Sequence, residues 1–507
     1  MNTESVKEVV QTSDQWRRNL AAVLRPYGFW GLDPDRGGNS DVGNLCVLNL
    51  AWDDLAKTSN SSCAIFVDRS DSAALPGLAY RIESANGLSF SPGRRFFHRR
   101  EAKFRSLSPS ISFIGSGLTP ILQTAEGRST LAWWDYGGRR HLLCGIAIAE
   151  ELVRYTHGNP ERASYAGNRN LWGREHEQAA FLYEGHVLSG YELVPWADRL
   201  GFMLADLLAR MSGLPLVCPL PNGAKGAVML TGDDDQAWLE KYDEQLALLG
   251  DFPITYLMLP HTNHTRETIA KLPGNVEFGV HVDALDRPDA YAEICASQTE
   301  NVRALLSPHT ARTIRNHGHL NRDYWRHLPA WEAAGLNFDL NIRGLDGTCP
   351  TGSYLPFRVR RQDGTWSAHT SLFSTFSDSM LFLQKWSERK QVNVISGLAD
   401  QIERSSPGVI VLNFHPQNVS SVRRVHASAV AIGRRHGWLA VGADSFYAWW
   451  ERRDAVRLSV CDQRLYLDAP FPMEGLALRW PNSATTQLLE MWEGKSEVRR
   501  ESGHSLA

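Results

Sequence analysis

Acidic, imidazole and guanidinium side chains follow several short apolar runs in the second half of the chain. The first group is Asp233-Asp234-Asp235, directly after the apolar run 227–231. Later groups contain His281 and Asp283, then Arg315 with His317 and His319, and finally His415. Because the carboxyl ends of barrel strands form one rim, we expect these groups to converge on a single site.

Neighbouring carboxylates at a partly buried strand end repel each other unless a cation lies between them. One carboxylate and two imidazoles with an open coordination position form the ligand set of a hydrolytic zinc site. Such a site makes water acidic enough to attack a carbonyl at neutral pH, with a second carboxylate as the base. Imidazole donors suit zinc, cobalt and nickel, so we predict a divalent metal cofactor, with zinc as the favoured ion.

The chain after residue 223 alternates strand-like and helix-like stretches. Its strand-like runs lie at residues 227–231, 254–259, 276–280, 311–314, 338–341, 409–413 and 438–441. Several of them are far enough apart for a crossover helix, which is the pattern of a parallel sheet or barrel. The polar groups described above stand where these strands would end.

The domain organisation follows from chain length and from breaker residues. A chain of 507 residues exceeds what one hydrophobic core usually organises. Prolines and an Asn-Gly pair cluster at residues 215–223, in front of the first strand of the alternating series. We predict an N-terminal α/β domain over residues 1–215, a barrel domain over 222–453 and a small β appendage over 454–495. The overall fold class is α/β.

Composition excludes several classes of partner. The 53 Lys and Arg residues against 56 Asp and Glu residues include no long basic run, which argues against nucleic acid as a partner. Seven scattered cysteines without C-x-x-C spacing predict neither a disulfide framework nor a thiolate zinc cage. The N-terminus lacks an apolar export signal and no stretch reaches 18 apolar residues, so we predict a cytoplasmic protein without a membrane span. The oligomeric state stays open and includes a homo-oligomer.

Five ordered segments carry a resemblance to a known family. They read VMLTGDDD, ITYLMLP, EFGVHVD, RTIRNHGH and VIVLNFHP, and in this order they resemble the motifs of the polysaccharide deacetylase family over residues of about 225–450. Weaker similarities lie at residues 335–339, which resemble the family's strand-end aspartate, and at 352–358 and 446–453. The resemblance implies a distorted (β/α) barrel and a metal-dependent hydrolase. Such an enzyme removes an acetyl or other small acyl group from the amide of an amino sugar or a related small molecule.

The resemblance also implies a role for individual residues. It assigns Asp233 as the general base, Asp234 and His281 as metal ligands, Arg315 as the group that orients the base, and His415 as the general acid. In this scheme the base takes a proton from the attacking water, and the acid protonates the departing amine.

The second motif departs from the family pattern, which places two histidines four residues apart. Leu285 stands at the position four residues after His281, so the third metal ligand must come from elsewhere. His317 is the preferred replacement because it lies at the end of the neighbouring strand. The alternatives that stay open are His319, Asp283 and the pair His261 and His264.

Simpler interpretations and rival functions also stay open. The triple aspartate is equally compatible with the N-terminus of a helix, where carboxylates cap free N–H groups. The barrel could be a catalytically inactive carbohydrate-binding or regulatory module, or could hydrolyse a C–N bond in an amide that is not a sugar. In the N-terminal domain, Cys144 with His176 gives an incomplete nucleophile-elbow pattern, for which a buried structural cysteine is the favoured interpretation.

Overall fold

The computed structural model describes most of the chain from residue 192 onward and parts of the region before it. The described residues are 13–30, 32, 46–49, 62–67, 75–83, 87–90, 103–159, 169–171, 174–176, 182–183, 186, 192–319, 324–343, 349, 351–461, 464–481 and 486–498. The strands within these ranges form four sheets, and the largest sheet has ten strands.

A nine-stranded sheet with helices against it forms the N-terminal part. Its strands are β1 (Cys46–Asn49), β2 (Cys63–Phe66), β3 (Leu78–Glu83), β4 (Gly87–Phe90), β5 (Lys103–Arg105), β6 (Ser110–Gly115), β7 (Leu118–Gln123), β8 (Ser129–Tyr136) and β9 (Arg139–Cys144). The neighbours β1, β2 and β9 are parallel, and the other pairings are antiparallel. The remaining elements are α1 (Ser13–Leu24), α2 (Ile148–His157), the ribbon of β10 (Arg169–Leu171) and β11 (Arg174–His176), α3 (Trp196–Ser212) and the short strand β12 (Leu216–Val217).

The ten-stranded sheet follows, with helices between most of its strands. The strands are β13 (Gly226–Asp233), β14 (Ile254–Met258), β15 (Val276–Val282), β16 (Thr313–Asn316), β17 (Phe338–Asp339), β18 (Phe357–Arg360), β19 (Trp366–Ser371), β20 (Phe376–Ser377), β21 (Gly408–Asn413) and β22 (Leu439–Val441). The helices are α4 (Leu239–Leu249), α5 (Arg266–Ile269), α6 (Tyr291–Leu306), α7 (Tyr324–Ala333), α8 (Met380–Leu383), α9 (Glu388–Arg404), α10 (Arg423–His436) and α11 (Ala443–Ala455). All pairings in this sheet are parallel except that of β18 with β19.

One run of chain, residues 366–378, closes this sheet on itself. Its first half, β19, pairs with β17, and its second half, β20, pairs with β21 at the other end of the strand order. Backbone hydrogen bonds continue on both sides, from Leu372 N to Asp339 O at 2.9 Å and from Thr375 N to Val411 O at 3.1 Å. The sheet is therefore a small, irregular parallel barrel. The predicted distorted (β/α) barrel is confirmed.

The central barrel strands are buried on both faces. Every residue of β13, β14 and β21 is buried, because one face fills the barrel and the other packs against surrounding elements. The N-terminal part supplies some of that cover. Trp16 of α1 and Leu204 of α3 belong to the same apolar cluster as Met229 of β13 and Val411 of β21.

A four-stranded antiparallel sheet ends the described chain. It consists of β12 together with β23 (Arg457–Cys461), β24 (Arg464–Arg479) and β25 (Thr486–Val498). Residues of the predicted boundary at 215–223 thus pair with the predicted appendage, through Leu216 opposite Arg479. The division into domains at 1–215, 222–453 and 454–495 stays a prediction. Within the described ranges, no helix has the length and apolar character needed to cross a membrane.

The buried guanidinium of Arg453, on α11, connects this helix to residues 25–26 and to residues 217–218. Its Nε donates to the carbonyl of Cys218 at 3.0 Å, and its Nη2 donates to Val217 O at 3.1 Å. The same Nη2 lies 3.3 Å from the carbonyls of Arg25 and Pro26. Because these carbonyls are shielded from water, the side chain satisfies acceptors that would otherwise be costly to bury.

Replacing Arg453 by methionine should therefore lower the free energy of unfolding by ~3 kcal/mol, because the buried carbonyls lose their donor. Urea unfolding of the full chain measures this. Arg452→Met is the matched control, since the neighbouring Arg452 is exposed and its loss should cost less than about 1 kcal/mol. Equal stability of the two variants would contradict this account of Arg453.

Candidate active site

The three aspartates at the end of β13 do not point in the same direction, because the strand ends at Asp233 and the chain then turns, with Asp235 at φ +42°. Asp233 and Asp235 line a cavity at the carboxyl end of the barrel. Asp234 faces the other side, where its Oδ1 accepts hydrogen bonds from the hydroxyls of Tyr242 and Thr262. Asp234, which the sequence predicts as a metal ligand, thus forms hydrogen bonds within the fold. Asp235 instead lines the cavity.

Asp235, His281 and His317 each bring one possible ligand atom to within 4.8 Å of the other two. Oδ1 of Asp235 lies 3.4 Å from Nε2 of His281 and 3.6 Å from Nε2 of His317. Two donors bound tetrahedrally to zinc at ~2.1 Å lie about 3.4 Å apart, so these separations fit a shared cation. The same Oδ1 is buried and has no hydrogen-bond partner, which also fits a metal ligand.

Both histidines are held so that Nε2 faces the cavity. Nδ1 of His281 donates to the carbonyl of Arg315 at 2.8 Å, and Nδ1 of His317 lies 3.0 Å from Oδ2 of Asp283. Partners of this kind fix the ring and orient the other nitrogen for binding a metal. Burial lowers the pKa of His281, but the nearby carboxylates, above all Asp233, raise it overall, so the site attracts positive charge. Asp283, an alternative ligand in the sequence, lies behind His317 as an orienting group.

A buried ion pair positions Asp233. Arg315 is fully buried and donates from Nη1 to Oδ1 of Asp233 at 2.7 Å. Asn413 donates to Oδ2 of the same carboxylate at 2.8 Å. Burial raises the pKa of Asp233, but Arg315 and the surrounding histidines hold it well below its usual range, so the carboxylate is ionised at neutral pH. The structure therefore places Arg315 against the predicted base.

His415 lies on the other side of the same carboxylate and is bound to a second aspartate. Its Nε2 is 3.5 Å from Oδ2 of Asp233, and its Nδ1 is 2.5 Å from Oδ1 of Asp378. The backbone N–H of His415 donates to the other oxygen of Asp378 at 2.9 Å. Burial lowers the pKa of His415, but the charge of Asp378 and its hydrogen bond outweigh that effect and raise the pKa to about 10. His415 is therefore protonated at neutral pH.

Sequence reasoning missed Asp378 and expected the family's strand-end aspartate at residues 335–339. Asp339 instead accepts hydrogen bonds from Asn341 and Ser371, whereas Asp378 is the aspartate bound to His415. Asp378 follows β20, which has only two residues and gives no apolar run to recognise. Its one signal in the sequence is an acid shortly after Phe376 in a stretch rich in serine and aromatic residues.

The other candidates from the sequence lie outside the group of three possible ligands. His319 lines the cavity, but its Nδ1 bonds to the carbonyl of Asn341 at 2.9 Å and it is not within the ligand cluster. His264 packs against the ring of Tyr242 at 4.4 Å, and His261 is exposed on the same loop.

The nucleophile-elbow pattern receives no support from its cysteine. Cys144 is buried in β9, with Sγ 3.4 Å from the carbonyl of Ile146, as expected for a structural cysteine. The side chain of His176 lies outside the described residues.

The cavity between these groups has a volume of about 160 Å³. Besides the residues described above, its wall contains Arg343, Ser379, Phe382 and Gln417. The ring of Phe382 is 62% exposed, so the mouth of the cavity presents an apolar aromatic face to solvent. A candidate cation site, an ionised carboxylate and a protonated imidazole thus line one small opening, a combination that can hydrolyse an amide or ester.

Comparison with known proteins gives a consistent family name at low similarity. No protein-family model and no curated protein matches the chain. A solved protein from Bordetella bronchiseptica, assigned as a polysaccharide deacetylase involved in O-antigen biosynthesis, is 20% identical, with 46% of this chain and 93% of that chain covered and a TM-score of 0.29. One from Mycobacterium smegmatis is 17% identical, with coverage of 45% and 92% and a TM-score of 0.35.

A family 4 carbohydrate esterase from Streptomyces lividans, solved with acetate, is 11% identical to this chain. The match covers 43% of this chain and 92% of the esterase, with a TM-score of 0.29. The first two of these structures bear the family name that the sequence motifs predicted. At identities and TM-scores this low, the function has to be inferred from the site itself.

The two aspartates make a matched pair for testing the ligand set. Asp235→Asn should abolish stoichiometric zinc binding, because an amide oxygen replaces the charged ligand, whereas Asp234→Asn should keep it. Metal content after dialysis, measured by plasma mass spectrometry, checks both variants, with circular dichroism to monitor folding. Loss of zinc from Asp234→Asn together with retention by Asp235→Asn would exclude Asp235 as the ligand.

Proposed function

We propose that the protein is a metal-dependent deacetylase that hydrolyses the amide of an N-acetylated, or otherwise acylated, amino sugar or related small molecule. The single observation that carries this proposal is the juxtaposition of a three-donor cation site with an ionised carboxylate and a protonated imidazole. In the proposed ligand set Asp235 takes the place of Asp234, beside His281 and His317. Zinc is the proposed ion, since two imidazoles and one carboxylate suit it.

A divalent cation bound there would polarise the amide carbonyl and make water more acidic. The chain's own residues supply the proton transfers. Asp233 lies beside the ligands and is ionised, so it can take the proton of the attacking water. Arg315 and Asn413 hold both of its oxygens and thereby fix its position.

His415 is proposed to act as the general acid. A group whose pKa is about 10 carries its proton at neutral pH and can deliver it to the departing amine nitrogen. The pKa of Asp233 is lowered and that of the neighbouring His415 is raised, which suits the first group to act as the base and the second as the acid. The role of Asp378 is to keep His415 protonated and to hold its Nε2 towards the cavity.

The substrate class follows from the mouth of the cavity. The exposed ring of Phe382 is suited to packing against the apolar face of a sugar ring. The five cysteines whose side chains are described, Cys63, Cys144, Cys218, Cys295 and Cys349, are buried free thiols, which suits the proposed cytoplasmic compartment. We therefore favour a small intracellular saccharide as the substrate.

The direct test is acetate release by zinc-loaded protein from N-acetylglucosamine, its oligomers and N-acetylated amines that are not sugars. Asp233→Asn should lower kcat by on the order of 10²–10⁴, the usual contribution of a general base, while the zinc content stays unchanged. Absence of acetate release from the whole panel by protein that holds stoichiometric zinc would contradict the proposal. Release from the non-sugar amides alone would exclude the saccharide substrate.

The pH profile tests the acid. Since His415 must be protonated to act, kcat/KM should fall as pH rises through about 10. Asp378→Asn removes the charge that raises this pKa, so the alkaline limit should move to lower pH, by about one unit or more. Asp400→Asn, an exposed carboxylate on α9, is the matched control and should leave the profile unchanged. An unshifted profile in Asp378→Asn would remove His415 from the role of acid.

A further inference from the structure

A positively charged side chain that has no role in the deacetylation scheme lines the cavity of the proposed active site. Arg343 follows β17 and lines the cavity together with the ligand histidines. Its Nη1 donates to Oγ of Ser379 at 3.1 Å, whereas its Nε is buried without a hydrogen-bond partner. Burial lowers the pKa of Arg343 to about 10, so the guanidinium still carries its full charge at neutral pH.

The described acidic residues around the cavity are already engaged with other groups. Asp233 is paired with Arg315, and Asp378 is paired with the imidazole of His415. Asp235 belongs to the proposed cation site, and Asp283 lies against His317. Asp339 accepts its hydrogen bonds from Asn341 and Ser371.

Among the described residues, no carboxylate lies within ion-pair distance of Arg343. The charge of Asp233 favours the guanidinium of Arg343 without an ion-pair contact. A half-buried guanidinium with no described carboxylate at ion-pair distance has lost part of its hydration, and a purely structural arginine is normally paired. The charge is therefore suited to a partner that comes with the substrate.

A hydrogen-bond acceptor lies on the same wall of the cavity. Nδ1 of His319 is 2.9 Å from the carbonyl of Asn341, which can only accept, so Nδ1 carries the proton. Nε2 of His319 is then an acceptor, and it is buried without a hydrogen-bond partner. The guanidinium of Arg343 and the acceptor nitrogen of His319 line the same cavity. Together they can bind a ligand that has an anionic group next to a hydroxyl or N–H group.

From this geometry we infer that the substrate is anionic: an acylated amino sugar, or related amide, that carries a carboxylate or a phosphate, which Arg343 binds. This inference rests on the proposed function and narrows its substrate class. An arginine with Nη1 fixed by Ser379 presents its remaining N–H groups in a rigid fork that matches the oxygens of either anion. Arg343 is thus a specificity-determining residue and takes no part in proton transfer.

Three ligands that differ in one substituent test the inference by calorimetry. They are 2-acetamido-2-deoxyglucuronic acid, N-acetylglucosamine 6-phosphate and neutral N-acetylglucosamine, each titrated into zinc-loaded protein and again after chelation of the metal. At least one anionic ligand should bind about tenfold or more tightly than the neutral sugar in both metal states, the effect of one charge-assisted contact. The better of the two anions identifies the carboxylate or the phosphate. Equal affinity for all three ligands would overturn the inference, whatever any variant does.

Variants then assign the preference to one residue. Arg343→Met should reduce the ratio of anionic to neutral affinity to near one, and Arg343→Lys should retain part of it because the charge remains. Arg434→Met is the matched control, since this exposed arginine pairs with Asp251 before β14, at the opposite end of the barrel. A preference that survives in Arg343→Met would show that another group binds the anion.

The same ligands separate failure of this inference from failure of the proposed function. If none of them is hydrolysed but the binding preference depends on Arg343, the anion site stands and the deacetylase proposal falls. If all three are hydrolysed with equal kcat/KM and bound equally, the deacetylase proposal stands and the anion site falls.

Discussion

The arrangement of the site depends on one buried guanidinium. Arg315 extends from β16 across the barrel to the Asp233 carboxylate and the Thr231 hydroxyl of β13, at 2.7 and 3.0 Å. It also donates to Oγ of Ser374 in the closing segment at 3.2 Å and to the carbonyl of Leu340 after β17 at 3.3 Å. A charge this deeply buried is tolerated only where every donor finds an acceptor, so the side chain constrains strands on both sides of the barrel. Arg315 thus positions Asp233, the proposed base, and also binds the segment that closes the sheet.

Much of the barrel could be predicted from the sequence, because strands buried on both faces leave continuous apolar runs such as those of β13 and β21. The closing segment, residues 366–378, contains no continuous apolar run of this kind. This segment pairs with its neighbours through only a few residues on each side, and several of its side chains are polar. Asp378 at its end could therefore not be recognised as a strand-end residue. The direction of Asp235 could not be predicted from strand periodicity. Asp233 is the last residue of β13 and Asp235 lies in a turn with φ +42°, so the alternation of side chains along the strand does not extend to it. The prediction of Asp234 as a ligand rests on motif order.

Three histidines at the site differ in role because of what lies behind each ring. His281 has a backbone carbonyl at Nδ1 and His317 has a half-exposed carboxylate, which orient the rings and leave Nε2 able to bind a cation. His415 has the fully buried Asp378 behind it, which stabilises the doubly protonated ring. A protonated imidazole has no lone pair to offer a metal. The group behind each ring thus distinguishes the proposed ligands from the proposed acid among otherwise equivalent side chains, and no local sequence pattern encodes it.

The closure of the barrel also sets an order of assembly. The proposed cation ligands lie between residues 235 and 317, and Arg315 is 82 positions from Asp233. The contact between Asn413 and Asp233 spans 180 positions, and His415 comes later still. Contacts between distant parts of a chain form late, since the intervening loop must be ordered first. During synthesis, the residues of the proposed cation site would all emerge well before Asn413 and His415, so the contact between the proposed acid and the proposed base would be the last part of the site to form.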